Sequence, residues 1–197
     1  MIRNLILAIA ATAGLAFAPA AGAYTIDFHG LSGANLDPFT GAYLEGGFTV
    51  TPTTGSWFEG HLFGNAVPSI FAGPVGTPGL SSIGVTHGGD TFTFNAVDLS
   101  SNIQAGTAYV FQGRLAGNLV LNTSGTIGSI STFATFASGG SAILLDELTI
   151  ELTPNSGTSS MNIDNIDVTP TASVPEPVSL ALFATGLLGL GAIRRRV

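Results

Sequence analysis

The chain has 197 residues, with 45% hydrophobic and 9% charged residues, no Cys, and five Lys+Arg against twelve Asp+Glu for a formal net charge of −7. Without Cys there are no disulfides, thiolate zinc sites or cysteine nucleophiles, and without Lys there is no P-loop, pyridoxal Schiff base or Ser-Lys dyad. Residues 24–173 carry eleven carboxylates against Arg114 alone, a net −10, so this region repels nucleic acid rather than binding it.

At the N-terminus, "MIRNLILAIAATAGLAFAPAAGAYTID" has one cation at Arg3, an apolar run from Leu5 to Phe17, and small residues up to Ala21-Gly22-Ala23. This is the pattern of a secretory signal peptide over residues 1–23. Cleavage after Ala23 is favoured over cleavage after Ala18, which would place Pro19 at the scissile bond. A retained anchor is the alternative, but the run is short for a span.

Between the ends, short alternating runs recur between Gly, Asn and Pro turn signals. Strands are expected at Thr25 to His29, Gly47 to Thr51, Phe58 to Phe63 and Ser82 to Thr86. "DTFTFNAVDL" then sets Phe92, Phe94 and Ala96 against Thr91, Thr93 and Asn95, and "TAYVFQGRL" alternates likewise. Leu119 to Thr123 and Ser129 to Phe136 follow, and "SAILLDELTIELT" sets Leu144, Leu148, Ile150 and Leu152 against Glu147, Thr149 and Glu151. Asn162 to Thr169 closes the series. "NAVPSIFAGPVGTPG" reads as a long Gly/Pro loop. Period-two alternation with one polar face predicts a single all-β domain over 24–173, an antiparallel β-sandwich, with helices only in the two terminal segments. About 150 residues suffice for one core.

Three groups of polar residues are candidates for a site. In "SWFEGHLF", a strand with Phe58 and Leu62 inward would put Trp57, Glu59 and His61 together on the outer face, an aromatic platform beside polar groups suited to glycan binding. Trp57 as a core residue is the alternative, because apolar residues occupy both faces. Asp27 and Asp164 offer hard oxygens for a metal such as calcium, or are simply strand-end residues. Glu147 and Glu151 share a face about 13 Å apart along a strand, while glycosidase carboxyls lie roughly 5 to 9.5 Å apart. A solvated face accounts for them better than catalysis does. The chain also lacks a G-x-S-x-G elbow, and the expectation is a protein that is not an enzyme.

The C-terminal segment, residues 174–197, has three parts: Val174-Pro175-Glu176-Pro177, an uncharged run over 178–193, and Arg194, Arg195 and Arg196 before the final Val197. Sixteen helical residues reach roughly 24 Å, short of the roughly 30 Å hydrocarbon core, so a span needs snorkelling arginines and some bilayer thinning. The positive-inside rule keeps the arginines cytoplasmic and everything before Pro175 outside. The prolines keep the motif extended and accessible.

This order of motif, short transmembrane helix and arginine cluster resembles the PEP-CTERM sorting signal of exported Gram-negative proteins. The resemblance implies processing by an exosortase near Pro175-Glu176-Pro177. It further implies an inner-membrane-anchored precursor and a final place at the cell surface or in an exopolysaccharide matrix. "DTFTFNAVDL", "YVFQGRLAG" and "MNIDNIDV" also resemble secreted jelly-roll, galactose-binding-like modules, which implies carbohydrate binding and a structural calcium near the first and last strands. The expected function is an exported matrix protein whose sandwich binds glycan. A structural or adhesive coat protein without a specific ligand is the alternative, and a secreted glycan hydrolase is a third. An outer groove lined by aromatic and amide side chains separates the first from the second.

Overall fold

The computed structural model describes residues 22–73, 79–128 and 130–171; the expected signal-peptide helix, sorting motif and transmembrane helix lie outside them. Among the described residues thirteen strands form: β1 (Tyr24–Ile26), β2 (Tyr43–Glu45), β3 (Phe48–Thr54), β4 (Trp57–Gly60), β5 (Ser69–Ala72), β6 (Ser81–Thr86), β7 (Phe92–Ser101), β8 (Thr107–Leu115), β9 (Asn118–Ile127), β10 (Ala134–Ala137), β11 (Leu144–Leu145), β12 (Glu147–Thr153) and β13 (Met161–Pro170). One sheet runs β10-β7-β13-β5-β4, with β1 also on β13 and β11 also on β7; the other runs β2-β3-β6-β12-β8-β9. The ladders between these strands are antiparallel. The fold is the expected antiparallel β-sandwich, with no helix among the described residues.

The core follows from the alternation. Phe92, Phe94 and Leu99 of β7, Ile83 and Val85 of β6, Leu148, Ile150 and Leu152 of β12, and Ile163, Ile166 and Val168 of β13 are fully buried. Phe94 meets Phe111 edge-on at 5.2 Å between ring centroids, and Phe48 meets Phe92 likewise at 5.4 Å. In β7 the phase changes after Phe94. Val97 is buried in place of Ala96, because the β13–β7 register shifts between Asp164 and Asp167 and again before Val168. A bulge adds a residue to one strand and so moves the next side chain to the other face. A second slip occurs at Leu144, which is exposed, while Leu145 is fully buried.

Two strands arise where the sequence reading places none. β2 is only three residues long. β5 lies inside the expected Gly/Pro loop, yet pairs with both β4 and β13. Its four residues are too few for alternation to show between Pro68 and Gly73.

Trp57 faces the core. It is 2% exposed, its register partner is Ala72, and its indole N–H donates to the Thr54 carbonyl at 2.9 Å. Phe58 instead turns outward and packs on Phe71 at 5.8 Å. The outer face shared by Trp57, Glu59 and His61 is therefore not formed. A buried Trp leaves a large cavity when truncated, so Trp57→Ala should cost about 3–5 kcal/mol in denaturant unfolding. An exposed platform residue would change stability by no more than about 0.5 kcal/mol.

Candidate functional site

The segment after β4 turns back over the outer face of the β10-β7-β13-β5-β4 sheet. Gly60 makes the turn possible, since a Cβ there would lie 2.9 Å from the Ser69 hydroxyl and 3.2 Å from the Phe63 carbonyl. The Ser69 hydroxyl donates to that carbonyl at 2.6 Å, and the Phe63 ring stacks on Phe133 at 5.1 Å. Asn65 secures the rest of the segment, donating from its backbone N–H to Asp164 Oδ2 at 2.6 Å and from Nδ2 to Asp98 Oδ2 at 2.8 Å.

Asp98 and Asp164 are register partners on β7 and β13, and both are buried. Asn165, at a φ of 43°, closes the cradle from the other side. Its N–H donates to Asp164 Oδ1 at 2.9 Å and its Nδ2 to Asp98 Oδ2 at 2.9 Å. The Thr135 hydroxyl supplies a further bond to Asp98 Oδ1 at 2.6 Å. Burial pushes the Asp164 carboxyl up to about 7, against the pull of the Asn65 and Asn165 N–H groups and with the help of the Asp98 charge.

Beside this clamp lies a groove of about 160 Å³ lined by Phe63 and Phe71, by the amides of Asn35, Asn102 and Asn162, and by Ser160. Leu62, 83% exposed, forms its lip. Asn162 is held by two bonds from its Nδ2 to the Ser100 carbonyl and hydroxyl, and Asn102 Nδ2 donates to the Ser160 hydroxyl at 2.7 Å. Asn102 Oδ1 is buried without a hydrogen-bond partner. A buried acceptor left unpaired costs about 1–3 kcal/mol.

Glu59 and His61 serve the 33–39 loop. His61 Nε2 lies 2.9 Å from Glu59 Oε2, which also accepts the Gly33 N–H at 3.0 Å, and the His61 N–H donates to Asn35 Oδ1 at 3.0 Å. The pair positions Asn35 at the groove but does not line it.

Asp27 belongs to a different group. Asp27, His29 and Glu45 bring one ligand atom each within 4.8 Å of one another, and Asp164 is outside this set. Both Glu45 oxygens are engaged, by the Tyr24 and Tyr43 hydroxyls and by the N–H groups of Asp27 and Phe28. Calcium takes six to eight oxygen ligands; an imidazole and a carboxylate already saturated by four donors match it poorly. Hydrogen bonding to Asp27, then the charges of Asp27 and Glu45, raise the exposed His29 imidazole above its ordinary value. Burial alone would raise Asp27, but the N–H and imidazole of His29 outweigh it and hold the carboxyl low.

Phe63, Phe71, Asn102 and Asn162 were not singled out from the sequence. Phe71 is hidden in the segment read as loop, and an amide in an alternating strand looks like any polar position. The one available signal was that Asn162 precedes Asp164 and Asn165 in "MNIDNID", three polar side chains where a solvated face needs none in particular.

Residues 173–196 match the PEP-CTERM protein-sorting motif. That motif implies an exported protein, sorted by an exosortase from a membrane-anchored precursor. No curated protein matches the chain. Among solved structures, a family 29 carbohydrate-binding module from Piromyces equi is similar at 14% identity and a TM-score of 0.44, over 79% of this chain and 94% of that one. A family 11 carbohydrate-binding module of a cellulosomal cellulase from Clostridium thermocellum aligns at 14% identity and 0.36, over 78% and 96%. A family 89 glycoside hydrolase from Clostridium perfringens aligns at 18% identity and 0.40, over 66% of this chain but only 15% of the hydrolase. These are distant likenesses, and the site is read from its own residues.

The carboxyl clamp makes a pH prediction. A folded-state value near 7 against an ordinary 3.8 means that the folded protein holds the Asp164 proton more tightly. Its contribution is complete below pH 3.8 and is lost as pH rises through about 7. Urea unfolding across this window should show stability falling with rising pH in the parent relative to Asp164→Asn. Parallel profiles for the two proteins would contradict the assignment.

Proposed function

We propose that this exported protein is a non-catalytic matrix or surface component whose sandwich binds a neutral carbohydrate in the groove beside the Asn65 clamp. The observation that carries the reading is the groove itself, in which the Phe63 and Phe71 rings stand beside the side-chain amides of Asn35, Asn102 and Asn162. Sugar rings offer just these complements, with C–H faces that pack on aromatic rings and hydroxyls that donate to amide oxygens. The groove is smaller than the roughly 300 Å³ at which pockets for drug-sized ligands begin, so it suits a single ring of a longer chain.

The charge selects neutral polymers. No residue lining the groove is ionisable, and the net −10 of residues 24–173 repels an anionic polysaccharide over roughly a Debye length, about 30 Å at 0.01 M salt. Hydrolysis is disfavoured because the lining supplies no carboxylate pair and the Asp98–Asp164 pair is buried under the clamp. A separate coat role would need no such groove, and a smooth Thr/Ser face would serve it.

Co-sedimentation of the full chain with neutral and acidic polysaccharides, with and without chelator, tests the reading. Binding to the neutral polymer should survive the chelator and fall about tenfold or more in Phe71→Ala, the loss of about 1.4 kcal/mol expected for an anchoring aromatic. Any binding to the acidic polymer should require a divalent cation. Neutral-polymer binding left unchanged by Phe71→Ala contradicts the proposed site.

A further inference from the structure

The free edges of the two sheets are treated unequally. β2 is three residues long and β10 four. The outer edge of β4 is covered by the 36–39 segment, whose Leu36 and Phe39 N–H groups donate to the Glu59 and Trp57 carbonyls and whose Asp37 carbonyl accepts the Glu59 N–H. β9 is less protected, its one irregularity being a register shift against β8 at Val120, near its N-terminal end. It is ten residues long, contains neither proline nor charge in "NLVLNTSGTI", and pairs among the described residues with β8 alone. A long, uncharged, unpaired edge is a template for another strand, and proteins usually block it with charge, proline or brevity.

Charge identifies the occupant. From Leu99 to Leu145 the chain has no carboxylate and one cation, Arg114, while all eleven carboxylates of residues 24–173 lie outside that stretch. Leu119, Val120 and Ile130, 48%, 39% and 48% exposed, sit in the same stretch. Two copies of so acidic a domain repel each other over most of their surfaces. Along β9 they can approach without bringing carboxylates together.

We infer that β9 is a homotypic interface, at which two copies of this chain pair antiparallel to form one continuous twelve-stranded sheet. The register follows from geometry. Side chains alternate between faces, and a two-fold axis normal to the sheet keeps outer residues outer, so a residue must lie opposite its own counterpart. Asn122, exposed near the middle of β9 and within the regular run that follows the Val120 irregularity, fills that position, with Leu121 of one copy opposite Thr123 of the other. The interface is independent of the carbohydrate groove, which lies on the other sheet, and gives a matrix protein two outward-facing binding sites per unit.

The absence of native Cys allows a direct test on the full chain purified in detergent. Asn122→Cys should be captured as a covalent dimer by a short bis-maleimide, because directly opposed Cβ atoms lie about 4.5–5.5 Å apart. Leu44→Cys, also exposed and on the short edge strand β2, is the control and should remain monomeric. In sedimentation velocity the parent should dimerise more readily as salt screens the repulsion between copies. Asn122→Lys, which sets like charges opposite each other, should lose the dimer. Equal cross-linking at Leu44, a parent that is monomeric at every concentration, or an Asn122→Lys protein that sediments like the parent would each overturn the inference.

Discussion

Two carboxylates opposed on neighbouring strands, Asp98 and Asp164, are buried beneath a loop and held by five donors: the N–H and Nδ2 of Asn65, the N–H and Nδ2 of Asn165, and the Thr135 hydroxyl. A buried carboxylate without such partners would neutralise or unfold its surroundings. The loop and the acid pair thus require each other. Asn65 can stay down only because the acids accept its donors, and the acids can stay buried only because Asn65 and Asn165 cover them. Phe63 is two residues from Asn65, so the same clamp sets the ring that walls the groove. Protonation of Asp164 removes one of two facing charges, which ties the stability of the clamped face to pH in the near-neutral range.

The bulge in β13 is the backbone counterpart of this arrangement. The register shift after Asp164 lets Ile163 and Ile166 both enter the core, although strict alternation would send one of them out. The residue gained is Asn165, whose positive φ aims its N–H and amide at the acid pair. One irregularity therefore serves packing on the inner face and polar satisfaction on the outer one. The two sheets divide the remaining work. One presents the clamp and the groove, and the other carries the long uncharged edge at β9.

Much of the fold was legible because a strand with one buried face must alternate. β8 was placed to the residue, the run from Ser141 to Thr153 took in both β11 and β12, and Phe92, Phe94, Leu148, Ile150 and Leu152 were put on the inner side. Alternation failed where the chain changes phase: at Ala96, since a bulge depends on the partner strand and leaves no local mark, and at Leu144, where the chain passes from β11 on one sheet to β12 on the other. It failed again at β5, where four residues between Pro68 and Gly73 give a pattern too short to see. The site was less legible for the same reason. "SWFEGHLF" carries apolar residues on both faces, so its register was undetermined until β5 fixed Trp57 opposite Ala72, which sends Phe58 outward and the indole into the core. Asp164 drew attention as a hard-oxygen donor at a strand end; what the sequence did not show is that it faces Asp98 across the β7–β13 ladder and accepts from Asn65 and Asn165. The sorting segment was the opposite case, since a linear motif is read by its partner as sequence and needs no fold to be recognised.

The most direct measurement is a side-chain amide NMR titration of the full chain in detergent micelles with a neutral oligosaccharide. If the groove is the binding site, the Nδ2 resonances of Asn102 and Asn162 shift in a saturable way while the Trp57 indole N–H and the His29 imidazole stay in place. Saturable shifts confined to Trp57 or His29, with Asn102 and Asn162 unmoved, would contradict it.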